Sequence, residues 1–205
     1  MVPYTSGLQK SDGARLWQLL RHPDETRRLT AFLALQTEGT NGLRPREWSP
    51  ELFAQLMAVE PSETEYPRCQ LLAYYRGLDQ GDELAALPHL ENVVAKSGKV
   101  GKVFRPVAFL EAASACAGIR NQPDKARAWR ERAVPLLRNQ PEAFETVDAS
   151  IAMSEGRYED ALPLWQAARD RLFRRRLDSG LARFALDKLA EAQTVCEGHI
   201  AARVS

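Results

Sequence analysis

A chain of 205 residues, 44% hydrophobic and 27% charged, is long enough to bury about 70% of its unfolded surface and too apolar for intrinsic disorder. Its 28 basic and 27 acidic residues leave a net charge of +1, which gives no global field for nucleic acid or an anionic membrane. No run of about 18 apolar residues occurs, so no segment reads as a membrane span, and the first residues lack the apolar core of a secretory signal.

Helix signals dominate from the start, and sustained period-two alternation is missing. Leu16, Trp17, Leu19 and Leu20 predict a short first helix ended by His22-Pro23. A second follows over Asp24 to Glu38, with Leu29, Phe32, Leu33 and Gln36 at helical spacing. After a polar connector, Ser49-Pro50-Glu51 restarts a helix: the serine caps, proline needs no partner for its missing N–H, and the acid meets the positive helix end. Leu52, Phe53, Leu56 and Met57 form its apolar face, and Pro61 stops it. Ser62-x-x-Glu65 has the form of a capping box before a helix carrying Leu71, Leu72, Tyr74, Tyr75 and Leu78. Further helices are predicted over Glu83 to Lys96 and Phe104 to Gly118, separated by a connector from Ser97 to Val103. The motif Arg-Asn-Gln-Pro then appears twice, at Arg120 to Pro123 and Arg138 to Pro141, each with an Asn or Gln cap and a proline in the first turn. Leu181 to Ile200 reads as a closing helix whose stripe is Ala182, Ala185, Leu186, Leu189, Gln193, Cys196 and Ile200.

A repeat underlies this series. Ala126 and Ala133 recur 35 residues later as Ala161 and Ala168, and 40 residues earlier as Ala86 and Val93. Seven residues within each copy are two helical turns, so both small residues share a face on which a neighbouring helix can settle. A period near 35 with paired helices is the mark of a solenoid. The pattern resembles the tetratricopeptide repeat (TPR) superfamily. Gly81-Asp82 leads to Ala86, Leu90 and Val93; Gly156-Arg157-Tyr158 leads to Ala161, Trp165 and Ala168. The middle copy departs, with Asn121-Gln122-Pro123 at the turn and Arg130 where a large apolar residue belongs, Trp129 standing one position earlier. The resemblance covers about Pro67 to Phe173. It implies an all-α fold of antiparallel helix pairs stacked as a TPR-like solenoid: residues 1–61 an N-terminal helical section, 62–178 the helix pairs, 179–205 a C-terminal capping helix.

By the same resemblance, the inner face presents Arg68, Leu71, Tyr75 and Asp79 from one pair, Glu111, Ala115 and Ile119 from the next, and Thr146, Ser150 and Met153 from the third. These imply a binding site for a protein or peptide partner that packs near Tyr75 and Leu71. The lysine–asparagine pair by which co-chaperone repeats hold a C-terminal carboxylate is not matched at these positions. A second resemblance joins Gly42-Leu43-Arg44-Pro45-Arg46-Glu47-Trp48 and Leu71 to Asp82 to the helical tail of bacterial site-2-protease-type membrane metallopeptidases. It implies a regulatory tail or a free-standing relative, without the zinc motif and therefore without peptidase activity.

Chemistry-bearing motifs are scarce. His22, His89 and His199 are dispersed and read as surface or helix-end residues, and no His/Cys spacing suits zinc. Ser97 to Val103 fails the phosphate-loop pattern: no Ser or Thr follows Lys102, and no strand leads in. The expectation is a protein that is not an enzyme and needs no cofactor. Cys69, Cys116 and Cys196 are far apart and read as reduced, half-buried thiols of a cytoplasmic protein. Arg169 to Arg183 holds six arginines against two aspartates, and Arg171, Arg174, Arg175 and Arg176 are its candidates for an anionic partner. Only Phe173 and Phe184 stand near them to stack bases, which speaks against nucleic acid. Surplus apolar surface on the closing helix would serve a homodimer; its ordinary role is to cap the last pair.

Overall fold

The computed structural model describes residues 5–6, 9–10, 21, 23–60, 63, 65–98, 104–137, 140–174 and 178–204. The described chain is all-helical, apart from a minimal antiparallel pairing of Thr5–Ser6 with Gln9–Lys10. The helices are α1 (Pro23–Thr40), α2 (Pro50–Met57), α3 (Tyr66–Asp79), α4 (Glu83–Ala95), α5 (Phe104–Gly118), α6 (Pro123–Ala133), α7 (Glu145–Ser154), α8 (Tyr158–Arg174) and α9 (Gly180–Val204). Links of three or four residues fold α4 back on α3, α6 on α5 and α8 on α7, giving three packed pairs. The predicted helix at Leu16 to Leu20, and His22, lie outside the described residues.

Each pair turns through one left-handed residue. Gly81 (φ 78°), Asn121 (φ 51°) and Gly156 (φ 73°) stand 40 and 35 residues apart, the spacing of the alanines. Asn121 therefore occupies the turn position that seemed to break the middle copy; asparagine is among the few side chains tolerated there. At the two glycines the chain closes with matching backbone bonds, Asp82 N–H to Gly77 and Arg157 N–H to Ala152, at 3.0 and 2.9 Å.

The repeated small residues are the contact points. Ala86, Ala126, Ala133 and Ala161 are wholly inaccessible and Val93 nearly so, while Ala168 is half-buried. Ala86, Leu87, Leu90 and Val93 pack with Leu71 and Tyr74; Ala126 with Ala113, Cys116, Ala117, Val147 and Ile151; Ala161 and Trp165 with Ala149, Ala152, Leu189 and Cys196. Trp129 fills space in the middle pair, its ring 5.6 Å from that of Phe109. Arg130 turns instead to Asp148 on α7 and lies 4.8 Å over Phe144.

Several local expectations change. The inward face of α1 is Ala31, Leu35 and Gly39, whereas Leu29 and Leu33 are about half exposed. Small residues at four-residue spacing seat this helix against Trp48: a Cβ on Gly39 would stand 3.8 Å from the indole nitrogen. Ser49 does cap α2, its Oγ accepting from Leu52 N–H at 3.3 Å. Helix α3 begins at Tyr66 after Glu65, which makes no side-chain cap bond; Ser62 lies outside the described residues. Gln122 precedes α6 without a side-chain cap, and Pro141 opens a 3-10 turn, Pro141–Phe144, before α7. The three thiols are free and buried rather than half-buried.

The closing helix reaches further than the last pair. Leu189 and Cys196 pack on α8, while Leu181 enters the N-terminal cluster of Leu35, Trp48, Leu56, Val59 and Cys69. The apolar stripe of α9 is spent inside the chain: Ala182, Leu189, Gln193 and Cys196 are buried, and Ala185, Leu186 and Ile200 half-buried. Gly180 is pressed onto the connector so closely that a Cβ would overlap the Leu43 carbonyl oxygen. Among the described residues, no helix is long and apolar enough to cross a membrane.

Candidate functional site

The helix pairs and α9 line a cavity of about 710 Å3 that opens to solvent. Tyr74, Tyr75 and Leu78 reach it from α3, Glu111 and Ile119 from α5 and the residue after it, Thr146 from α7, Leu172 from α8, and Phe184 and Leu189 from α9. Its walls are mostly aromatic and aliphatic with a few polar groups, the composition of a ligand pocket.

Beside the cavity, Arg44 ties α3 and α9 to the connector that follows α1. It extends from the connector between α1 and α2, hydrogen-bonds Asp79 on α3 (Nε to Oδ1, 3.1 Å) and pairs with Asp187 on α9. The Asp79 side chain is fully buried and also accepts the Arg46 N–H at 3.0 Å. Hydrogen bonding to Asp79, opposed by burial, pushes the Arg44 guanidinium above its already high pKa. Arg183 adds a bond from α9 to the Gly42 carbonyl at 3.1 Å. The left-handed Gly42, φ 92°, gives the connector the turn that brings Arg44 to these partners.

The charged wall groups are Glu83, Glu111, Glu145, Arg171 and Lys188. The Tyr75 hydroxyl donates to Glu111 Oε1 at 2.8 Å. Glu111 lines the cavity, and among the described residues its Oε2 accepts no hydrogen bond. Burial pushes the Glu111 carboxyl above the ordinary glutamate range, with the Tyr75 bond opposing it. Burial beside Glu111 likewise pushes the Tyr75 phenol well above its usual value. In the opposite wall Arg171 pairs with Glu145, leaving Arg171 Nη1 and Glu145 Oε2 buried without partners.

The residues expected on the inner face divide in two. Tyr75, Glu111, Ala115, Ile119 and Thr146 line the cavity. Leu71 is core, packed with Ala86 and Leu90; Asp79 is consumed by Arg44; Met153 packs beside Cys196, and Ser150 donates to the Thr146 carbonyl at 2.8 Å. Arg68 is exposed and lies 4.6 Å over the Phe104 ring. Of the arginine cluster, Arg171 is bound to Glu145 and Arg174 to the Asp170 carbonyl, while Arg175 and Arg176 lie outside the described residues. The contribution of α8 and α9 to the wall had no local sequence signal; it follows from where α9 runs.

His89 is half-buried rather than on the surface, and its Nδ1 is 2.8 Å from Gln70 Oε1. His199 stacks on Tyr158, centroids 4.1 Å apart. Among the described residues no group of three or more His, Cys, Asp or Glu side chains is placed to hold a metal. No family model matches this chain, and no curated protein or solved structure matches it.

Proposed function

We propose that this chain is a TPR-like helical-repeat scaffold that binds a protein or peptide partner at its inner face and catalyses no reaction. The observation that carries the reading is the cavity of about 710 Å3 bounded by successive helix pairs, apolar in the main, with few convergent polar groups. The repeated left-handed turns and buried alanines support the superfamily, because they place one small contact point per pair at a regular interval.

The partner packs against Tyr75, Ile119 and Phe184, where aromatic and branched surface is concentrated. Affinity capture with wild type and with Tyr75→Ala, read by mass spectrometry, tests this. A partner recovered by wild type and lost with Tyr75→Ala supports the site; equal recovery by both refutes the placement.

A further inference from the structure

We propose that the cavity receives a short apolar peptide segment whose cationic group, a free N-terminal ammonium or a basic side chain, pairs with Glu111. The inference rests on the peptide-binding reading and names the ligand chemistry that this site selects.

The volume restricts what can enter. One turn of helix with its side chains fills roughly 400–600 Å3, from a diameter of about 10–12 Å and a pitch of about 5.4 Å. The part of a ligand that a cavity of about 710 Å3 takes in is therefore about one turn or a short extended segment.

The charges restrict its chemistry. Among the described residues, the two cations of the wall are already engaged: Arg171 with Glu145, and Lys188 with Glu191 at 3.0 Å. Among the same residues Glu111 takes part in no ion pair, and its Oε2 accepts no hydrogen bond. The Tyr75 hydroxyl holds the other oxygen, so the carboxylate is oriented before any ligand arrives. The adjoining Tyr74 and Tyr75 rings, centroids 5.6 Å apart, add aromatic surface that favours a cation. An anionic ligand would stand beside Glu111 and, among the described residues, would find no uncommitted cation in the wall.

The test is binding of the full chain to a synthetic hexapeptide library in four arms, read by fluorescence anisotropy. The arms are free N-terminus, N-acetylated, N-acetylated with one lysine, and N-acetylated with one glutamate. Apolar peptides of the first or third arm should bind at least about tenfold tighter than those of the second and fourth, the arm that wins distinguishing ammonium terminus from basic side chain. Glu111→Gln should erase that preference. Affinity should rise with pH as the Glu111 carboxyl ionises. Tyr75→Phe, which keeps the carboxylate but removes the bond that favours ionisation, should move that rise to higher pH. Equal binding of acetylated neutral peptides, preference for the glutamate arm, or unchanged selectivity in Glu111→Gln overturns the inference and leaves the scaffold standing. If Glu111→Gln does not fold by circular dichroism, wild type and Tyr75→Phe decide, and pH-independent affinity in both overturns it. No binding in any arm removes this inference and the peptide-scaffold reading together.

Discussion

Gly77 and Ala86 meet where α3 and α4 approach: a Cβ added to Gly77 would stand 2.8 Å from the Ala86 Cβ. The same nine-residue step joins Ala117 to Ala126 and Ala152 to Ala161, and all four of these alanines are buried. Each pair thus closes on two small residues, one before the turn and one after it.

Gly77→Ala should destabilise the protein by about 1–3 kcal/mol, because overpacking outweighs the roughly 1 kcal/mol that alanine gains inside a helix. Adding Ala86→Gly to the same chain should recover part of the loss. Urea unfolding of the two single variants and the double variant measures the coupling. A more stable Gly77→Ala would mean that the helices are not in contact there.

Asn121 and the two turn glycines should respond alike to alanine, because all three are left-handed. Asn121→Gly keeps the left-handed turn and should leave stability within about 0.5 kcal/mol, whereas Asn121→Ala forces a Cβ into that region and should cost about 1–2 kcal/mol. Gly81→Ala and Gly156→Ala should resemble Asn121→Ala. Thermal melts of the four variants provide the comparison.

Arg44→Ala should cost about 3–5 kcal/mol, since it strands the buried Asp79 carboxylate while releasing Asp187. Arg44→Ala with Asp79→Asn should be milder than Arg44→Ala alone, because no charge is then left buried. Hydrogen exchange should become faster in the first turns of α9 than in α4, because Arg44 ties α9 to the connector. Uniform loss of protection would show that Arg44 supports the whole fold rather than that tie.

Glu111 makes folding depend on pH with a definite sign. Its carboxyl titrates above the ordinary range in the folded chain, with burial as the main cause. Between the unfolded and folded values the folded chain holds more protons, so stability falls as pH rises through that window and is constant above it. Relative to wild type, Glu111→Gln should remove this decline, and Tyr75→Phe should extend it to higher pH. Urea titrations across mildly acidic to neutral pH check both; a wild-type curve parallel to that of Glu111→Gln would show that Glu111 is not desolvated.

Local physics was enough to read the helices and the repeat from the residues themselves. Ser49-Pro50 starts a helix through its own neighbours, and Ala86, Ala126 and Ala161 recur because one contact is built three times. Asn121 was legible only in part: its conformation matches glycine, its side chain does not. The face of α1 misled because Leu29 and Leu33, four residues apart, trace one stripe while Leu35 lies on another side of the helix, and hydrophobicity alone does not say which side meets Trp48.

What the chain's own order determined is a series of paired helices with small residues where they touch, since these depend on contacts a few residues apart. Only the tertiary structure decided that α9 turns back to the connector and that Glu111 opens into a cavity. Arg44 finds Asp79 across 35 residues and Asp187 across 143, and Tyr75 finds Glu111 across 36. Partners so distant leave no period in the sequence, because their meeting is set by the path of every helix between them.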